Sequence, residues 1–298
     1  MNEKIANRVV GFTWNTLHDV PLAQAIRQGQ DDGFAAIEVG QWDAATPAFP
    51  FLSASQISLL HRCALTVTLH PSEGNVLASV SPLVRQGSVI HYQRHIDQAH
   101  AAGAQVLTTH AAFAAPFEHY YHGELCQAAI ESFHWLADYA AKANIKLGVE
   151  LQPLAYMRTD LTSRSLLWPS FPATLADAER LLQEISSPFF GLTVDTGHLI
   201  LLARQLRISH RDMLRFLRTH AGRVVHAHVH TNNGVADEHR PLDDGAAEAN
   251  AMIEVLERGG YRGLYVAENP YPQALQTLRY LNRAFATEAL AMRKDLAA

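Results

Sequence analysis

The chain has 298 residues, of which 48% are hydrophobic and 18% charged, and its formal net charge is −5. This composition is typical of a globular protein with a large buried core, and the absence of a basic excess argues against nucleic acid as a partner. Cys63 and Cys126 fit no metal or redox motif, which favours a reduced, cytoplasmic protein. No signal-peptide pattern or long apolar run appears, so we expect no membrane association.

Strand and helix patterns alternate along the whole chain. Hydrophobic runs predict strands at 8–13, 35–39, 65–70, 105–110, 146–151, 190–195, 223–230 and 264–268. Amphipathic stretches predict helices at 20–31, 54–63, 88–102, 122–143, 173–185, 209–219, 246–259 and 271–292. This alternation favours a (β/α)8 TIM barrel, with residues 1–298 as a single domain. A doubly wound open sheet is the alternative, but its phosphate loop needs glycine after the first strand, where TWNTLHDV has none.

The longer connections all follow strands and not helices. They are 40–53, 71–87, 111–121, 152–172, 196–208 and 231–245. In an α/β barrel the loops after the strands form the active-site face. We therefore expect substrate specificity in the loops at 40–53, 111–121 and 152–172. Trp14, Trp42 and Trp168 either cover a ligand at this face or anchor the loops.

Metal-capable side chains stand at the ends of six consecutive predicted strands. They are His70, His110, Glu150, Asp195 (followed by His198), His228 and Glu268. Because the carboxyl ends of barrel strands meet at one mouth, we expect these side chains to lie close together. Alternation within VVHAHVH places His226, His228 and His230 on one face of their strand, with His230 at the rim.

Four of these residues are expected at one level of the barrel: Glu150, Asp195, His228 and Glu268. Their three carboxylates would repel one another and raise at least one pKa, and a divalent cation removes that conflict. The oxygen-rich donor set favours Mn, Mg, Co or Zn. We expect no organic cofactor.

The chain resembles the xylose isomerase-like TIM barrels, the superfamily of sugar (phosphate) isomerases and epimerases and of endonuclease IV. The resemblance covers nearly the whole chain. It is strongest in GLTVDTGHL (191–199), VVHAHVHTNN (224–233), ADEHRPLDDG (236–245) and GYRGLYVAEN (260–269).

In the ketose 3-epimerases of that superfamily, the residues matching Glu150, Asp195, His228 and Glu268 hold one metal. Their two glutamates also act as acid and base on opposite faces of the sugar. The resemblance therefore implies a metal-dependent isomerase or epimerase that acts on a sugar, sugar phosphate or related polyol through an enediolate. It also implies that His198 contacts the substrate, and Arg240 is a second candidate for substrate binding.

The trinuclear zinc site of endonuclease IV implies a second hypothesis, a multinuclear-zinc phosphodiesterase. Each of its nine ligands has a same-type counterpart here: His70, His110, Glu150, Asp195, His198, His228, Asp237, His239 and Glu268. One departure counts against DNA repair, because the loops after the first two strands lack that family's DNA-reading segments. Asp243 replaces the glycine that is usual in the PLG turn of both the sugar branch and the endonuclease IV branch. We therefore rank sugar chemistry first and expect no nucleic acid partner.

Charge separates the two hypotheses. One divalent ion on three carboxylates leaves the pocket at about −1, which suits a neutral sugar, whereas three ions on four carboxylates, Asp237 included, give about +2, which suits a phosphate. A dehydratase or lyase of a keto acid or keto-polyol ranks third, and a non-catalytic metal- or sugar-binding protein ranks fourth. The oligomeric state stays open, with a homo-oligomer as one option. His91 and His95, four residues apart on a predicted helix, are interpreted as a solvent-exposed face.

Overall fold

The computed structural model describes residues 8–15, 20–41, 51–71, 76–153 and 169–295. Within these ranges eight parallel strands form a closed barrel, in which each strand pairs with its neighbours in chain order and the last pairs with the first. They are β1 (Val10–Asn15), β2 (Ala36–Gln41), β3 (Thr66–Pro71), β4 (Val106–His110), β5 (Lys146–Glu150), β6 (Phe190–Asp195), β7 (Val224–Val229) and β8 (Tyr265–Ala267). The predicted (β/α)8 barrel is confirmed.

Helices follow the strands along the chain. They are α1 (Leu22–Asp31), α2 (Ala54–Arg62), α3 (Pro82–Ala101), α4 (His122–Lys142), α5 (Leu175–Glu184), α6 (Thr196–Leu206), α7 (His210–His220), α8 (Ala247–Arg258) and α9 (Tyr271–Asp295). Ser53, Thr174 and Ser209 cap the starts of α2, α5 and α7 by accepting backbone N–H bonds. Gly33 and Gly103 adopt φ of 88° and 72°, which lets the chain turn sharply from helix to strand. No helix of the described residues is long and apolar enough to cross a bilayer.

Many inward positions of the strands are polar, and most of the positions between them are apolar. The hydroxyls of Thr108 and Thr193 lie 3.0 Å apart across the interior. Ile37, Leu69 and Leu107 occupy alternate positions and are fully buried in the apolar core. This alternation delivers polar side chains to the inside of the barrel and aliphatic ones to the layer between sheet and helices.

Two element predictions were wrong in position. The helix predicted from residue 88 begins at Pro82, which takes the first-turn position where proline is well tolerated. Residues 196–208 were predicted as a loop, but α6 starts there directly after β6. The Asp195 carboxylate caps α6 by accepting the backbone N–H of His198 at 2.8 Å.

The predicted solvent-exposed face of α3 is also wrong for His95. Its side chain is 1% exposed, and its Nε2 lies 3.0 Å from Nε2 of His91. The ring of Phe51 packs against it, with centroids 4.8 Å apart. Burial, reinforced by His91, lowers the pKa of His95 to about 3.

Candidate active site and metal centre

Four residues from β5 to β8 converge at the carboxyl end of the barrel: Glu150, Asp195, His228 and Glu268. Each offers one ligand atom, and these atoms all lie within 4.8 Å of one another. His228 is central, since its Nδ1 lies 2.9 Å from Glu150 Oε1 and 3.5 Å from Glu268 Oε2. Strand register explains the convergence, because Asp195 pairs directly with His228 between β6 and β7. The structure thus brings together the four residues predicted at one level.

The pKa values of the carboxyl groups in this centre are shifted in opposite directions. Burial favours the neutral form of Glu150, but the charges of His198 and His228 outweigh it and hold the pKa of Glu150 well below its usual range. Burial raises the pKa of Glu268 to about 8, with His228 opposing the rise and Glu150 and Asp195 adding to it. The side chains alone therefore favour keeping one carboxyl protonated, and a divalent cation would relieve that conflict. The donor set fits such an ion.

His70 and His110 lie against the second oxygen of Glu150. Their Nε2 atoms are 3.7 Å and 3.3 Å from Glu150 Oε2. The ring of His70 also stacks on that of His228, with centroids 5.4 Å apart. Burial, reinforced by His110, lowers the pKa of His70 to about 3 and keeps its imidazole neutral. Both histidines border the centre, and their predicted contact with substrate or a further ion stays a prediction.

A second group of donors, the rim cluster, consists of His198, His230, Asp237 and His239. Its ligand atoms also lie within 4.8 Å of one another. Asp237 Oδ2 is 2.7 Å from His239 Nε2 and 3.4 Å from His198 Nε2. His230 stacks on His239 at 4.1 Å between ring centroids and contacts Asp195 at 3.0 Å. The rim cluster therefore adjoins the first centre, and it includes His230, to which sequence analysis gave no role.

Glu38 is the residue that sequence analysis missed. It lies in the middle of β2, is fully buried, and its Oε1 is 2.9 Å from Nε2 of His228. Its Oε2 is 2.9 Å from Nε2 of His226. Burial disfavours its charge, yet His228 and His226 hold the pKa of Glu38 well below its usual range. A signal was available, because an acidic residue inside the apolar run AAIEV is costly to bury unless it is paired.

The charge count made from the sequence was therefore one carboxylate short. Glu38 adds a negative charge directly beneath the centre. Two imidazoles oppose it, since the pKa of both His198 and His228 is raised well above the usual value, as nearby carboxylates outweigh the effect of burial.

Arg240 lies apart from the buried groups. Its side chain is half exposed, and its Nε is 3.3 Å from Glu238 Oε2. Its backbone pairs with Thr231 in an isolated bridge. The predicted contact between Arg240 and substrate stays a prediction.

Only part of the predicted specificity region can be placed. Trp14 is buried and its Nε1 donates to the carbonyl of Val20 at 2.8 Å, which anchors the chain after β1. Trp42 and Trp168 lie outside the described residues, as do 42–50 and 154–168 of the predicted specificity loops. In the loop after β4, Ala112–Phe113 pairs antiparallel with Ser170–Phe171.

The chain matches the model of a known family. The family model of the xylose isomerase-like TIM barrel matches residues 26–294. The chain belongs to this family. The resemblance predicted from its motifs is thereby confirmed.

Members and neighbours of the xylose isomerase-like barrels share modest identity with this chain. An uncharacterized protein of Methanocaldococcus jannaschii is 23% identical over 233 residues, 76% of this chain and 74% of that protein. An inosose dehydratase of Geobacillus thermodenitrificans is 26% identical over 133 residues, which are 36% of this chain and 42% of the enzyme. The crystal structure of a D-tagatose 3-epimerase-like protein superimposes with a TM-score of 0.73 at 21% identity, over 97% of this chain and 99% of that one.

Proposed function

We propose that this xylose isomerase-like barrel is a metal-dependent isomerase or epimerase of a sugar, sugar phosphate or related polyol. One observation carries the proposal: the carboxylates of Glu150 and Glu268 lie 2.9 Å and 3.5 Å from Nδ1 of the same histidine, His228. Two acid/base groups and a ligand nitrogen are thereby held around one point. The structural likeness to a D-tagatose 3-epimerase-like protein supports a sugar as substrate.

Glu150, Asp195, His228 and Glu268 would hold the divalent ion, for which Mn, Zn, Co and Mg are all suitable. When bound, such an ion polarises a ketose carbonyl and makes the proton on the neighbouring carbon more acidic. Near neutral pH, His70, with its lowered pKa, would act as an uncharged hydrogen-bonding partner beside the carbonyl region.

The remaining chemistry is proton transfer, which the carboxyls can perform. A proton leaves the carbon next to the carbonyl and returns either to the same carbon, for epimerisation, or to the former carbonyl carbon, for isomerisation. One of Glu150 and Glu268 accepts it and the other donates. Strands β5 and β8 lie three places apart around the ring, so the two carboxyls approach a ligand from different directions. His198, which lies between Glu150 and Asp237, would hold a substrate hydroxyl.

The test uses solvent deuterium. Protein loaded separately with Mn2+, Co2+, Zn2+ or Mg2+ is incubated in D2O with ketohexoses, ketopentoses, their phosphates and cyclic ketopolyols, and products are identified by NMR and mass spectrometry. We expect product that carries deuterium at the rearranged carbon. Turnover without deuterium would exclude the enediolate route. A product lighter by one water would favour the dehydratase alternative, for which the inosose dehydratase relative is a precedent.

The rim cluster supports a second candidate function, a multinuclear phosphodiesterase. Its four donors lie beside the first centre, and His70, Glu150 and His228 form a further group of donors within 4.8 Å. Several ions held there would make the mouth positive and would favour a phosphate ester over a neutral sugar. Zinc-dependent hydrolysis of bis(4-nitrophenyl) phosphate or of DNA with an abasic site, with no turnover of any ketose, would replace the first proposal by this one.

A further inference from the structure

A buried triad of Glu38, His226 and His228 lies beneath the candidate metal centre. All three side chains are fully buried. Strand β2, which carries Glu38, does not neighbour β7, which carries the two histidines, because β1 and β8 stand between them. The Glu38 carboxylate therefore crosses the inside of the barrel to reach β7.

One oxygen of Glu38 is hydrogen-bonded and the other lies against His228, so the orientation of the carboxylate is restricted. Oε2 accepts from Nε2 of His226 at 2.9 Å and from the hydroxyl of Thr68 at 3.1 Å. Oε1 lies 2.9 Å from Nε2 of His228, which is ion-pair distance without the alignment of a hydrogen bond. A carboxylate held in this way presents Oε1 to one atom of the site, His228 Nε2.

The two ring nitrogens of His228 thus face different groups. Nε2 faces Glu38, whereas Nδ1 faces Glu150 and Glu268. An imidazole ligates through a nitrogen that carries no proton, and an acceptor on the other nitrogen selects that tautomer and holds the ring in place.

We propose that Glu38 is a positioning residue that keeps the proton of His228 on Nε2 and so makes Nδ1 the ligand atom of the centre. This inference rests on the proposed function, because it presupposes a cation at Glu150, Asp195, His228 and Glu268. Glu38 is not one of the four donors of that centre, although it forms a separate group of possible donors with His226 and His228. It acts through His228 alone, with His226 and Thr68 holding it in place.

The test compares metal affinity in two variants that each lose one buried carboxylate. Glu38→Gln keeps the size of the side chain but removes the charge that accepts the His228 proton. Glu257→Gln is the matched control, since Glu257 is also buried and accepts a hydrogen bond from Tyr265 at 2.6 Å outside the site. In calorimetric titrations with Mn2+ or Co2+, we expect Glu38→Gln to bind about 10- to 100-fold more weakly than wild type, and Glu257→Gln to bind as wild type does. Thr68→Val, which keeps the carboxylate, should show a smaller loss.

A second measurement needs no variant of Glu38. The protein is labelled with 15N-histidine and studied by NMR with and without Zn2+. The His228 signals are assigned as those that shift when zinc is added and that are missing from the His228→Asn variant. The proposal expects a proton on Nε2 and the ion on Nδ1. An ion on Nε2, or wild-type affinity in Glu38→Gln, overturns it while leaving the metal centre standing. A wild-type protein that binds none of Mn2+, Co2+ and Zn2+ refutes the proposed function and this inference together.

Discussion

Glu150 Oε1 lies 2.9 Å from His228 Nδ1, although 78 positions of sequence and the whole of β6 separate the two residues. The register of β5, β6 and β7 brings the two side chains to the same level on the inner face of the sheet. Their approach places an acidic oxygen and a ligand nitrogen at one point, with Asp195 Oδ2 at 3.8 Å from the same nitrogen.

This arrangement predicts that Asp195→Ala/His228→Ala loses the metal of the centre. Wild type should retain a divalent ion after loading and desalting, with ligand atoms about 2.0–2.3 Å from it. Arg240→Ala, which removes a half-exposed side chain outside the buried group, serves as the control and should retain the ion. Elemental analysis by mass spectrometry measures the metal content of each protein. A metal content in the double variant equal to that of wild type would contradict the assignment of these residues as metal ligands.

The acid/base role of Glu150 and Glu268 should be separable from their role as metal ligands. Glu150→Gln and Glu268→Gln each keep an oxygen donor but lose the ability to exchange a proton, so turnover should fall by at least about 100-fold. Glu248→Gln, which removes a carboxylate paired with Arg204 at the surface, should leave turnover unchanged. Rates are expressed per bound ion. A fall that merely follows lost metal would argue against the acid/base assignment.

The number of ions decides between sugar and phosphate chemistry. If the protein is the proposed isomerase, we expect one ion, bound by the strand-end carboxylates and His228, with His70 and His110 contacting the substrate. Anomalous scattering from crystals, recorded at the Zn and Mn edges, counts the ions directly. Additional peaks at the rim cluster, together with tighter binding of inorganic phosphate than of ketoses, would favour the phosphodiesterase.

Gly197 is predicted to resist substitution because of His230. A Cβ at this position would lie 2.0 Å from Cε1 of His230, whose ring is already stacked on His239. Alanine is the better helix former by about 1 kcal/mol, but crowding of a packed ring costs about 1–3 kcal/mol. We therefore expect Gly197→Ala to lower the free energy of unfolding in urea. Gly222→Ala, where a Cβ meets nothing within 4 Å, is the control, and equal stability of the two variants would refute the close approach.

The buried imidazole of His95, which lies outside the candidate site, should make the stability of the protein depend on pH. Its pKa is about 3 in the folded protein and near 6.5 in the unfolded chain, so between these values the unfolded state binds the extra proton. Stability should therefore fall as the pH drops from 6.5, by up to about 1.4 kcal/mol per unit from this group. His95→Gln should flatten the profile, whereas His210→Gln, at an exposed position, should not. Parallel profiles for wild type and His95→Gln would exclude the effect.

The barrel fold was predictable from the sequence, and so was the common height of the strand-end residues within the barrel, because both follow from local sequence patterns. Hydrophobic runs mark the strands, and the parallel register of β5 to β7 then brings Glu150, Asp195 and His228 together at one end of the barrel. Two features escaped prediction because their causes are distant in sequence. Glu38 has its partner 188 positions away, and His95 is buried by Phe51 from another element.

Helix α6 was missed for a related reason. Its first turn depends on Asp195, a residue that the sequence pattern assigns to the end of a strand and to the site. Asp195 both ends β6 and caps α6, but its position after a hydrophobic run indicates only the end of the strand. The sequence pattern therefore does not predict a helix directly after it.

The direct passage of β6 into α6 has a consequence for the order of folding and metal uptake. The side chain of Asp195 is bonded to the His198 amide, and the hydroxyl of Thr196 donates to the His230 carbonyl at 2.6 Å. These groups have already lost their conformational freedom when an ion arrives, so little further entropy is lost in ordering them. Small zinc domains, by contrast, are unfolded without their metal. If the proposed ion binds, we therefore expect the barrel to fold before it acquires the ion, and removal of the ion to leave a folded apoprotein that can be reloaded.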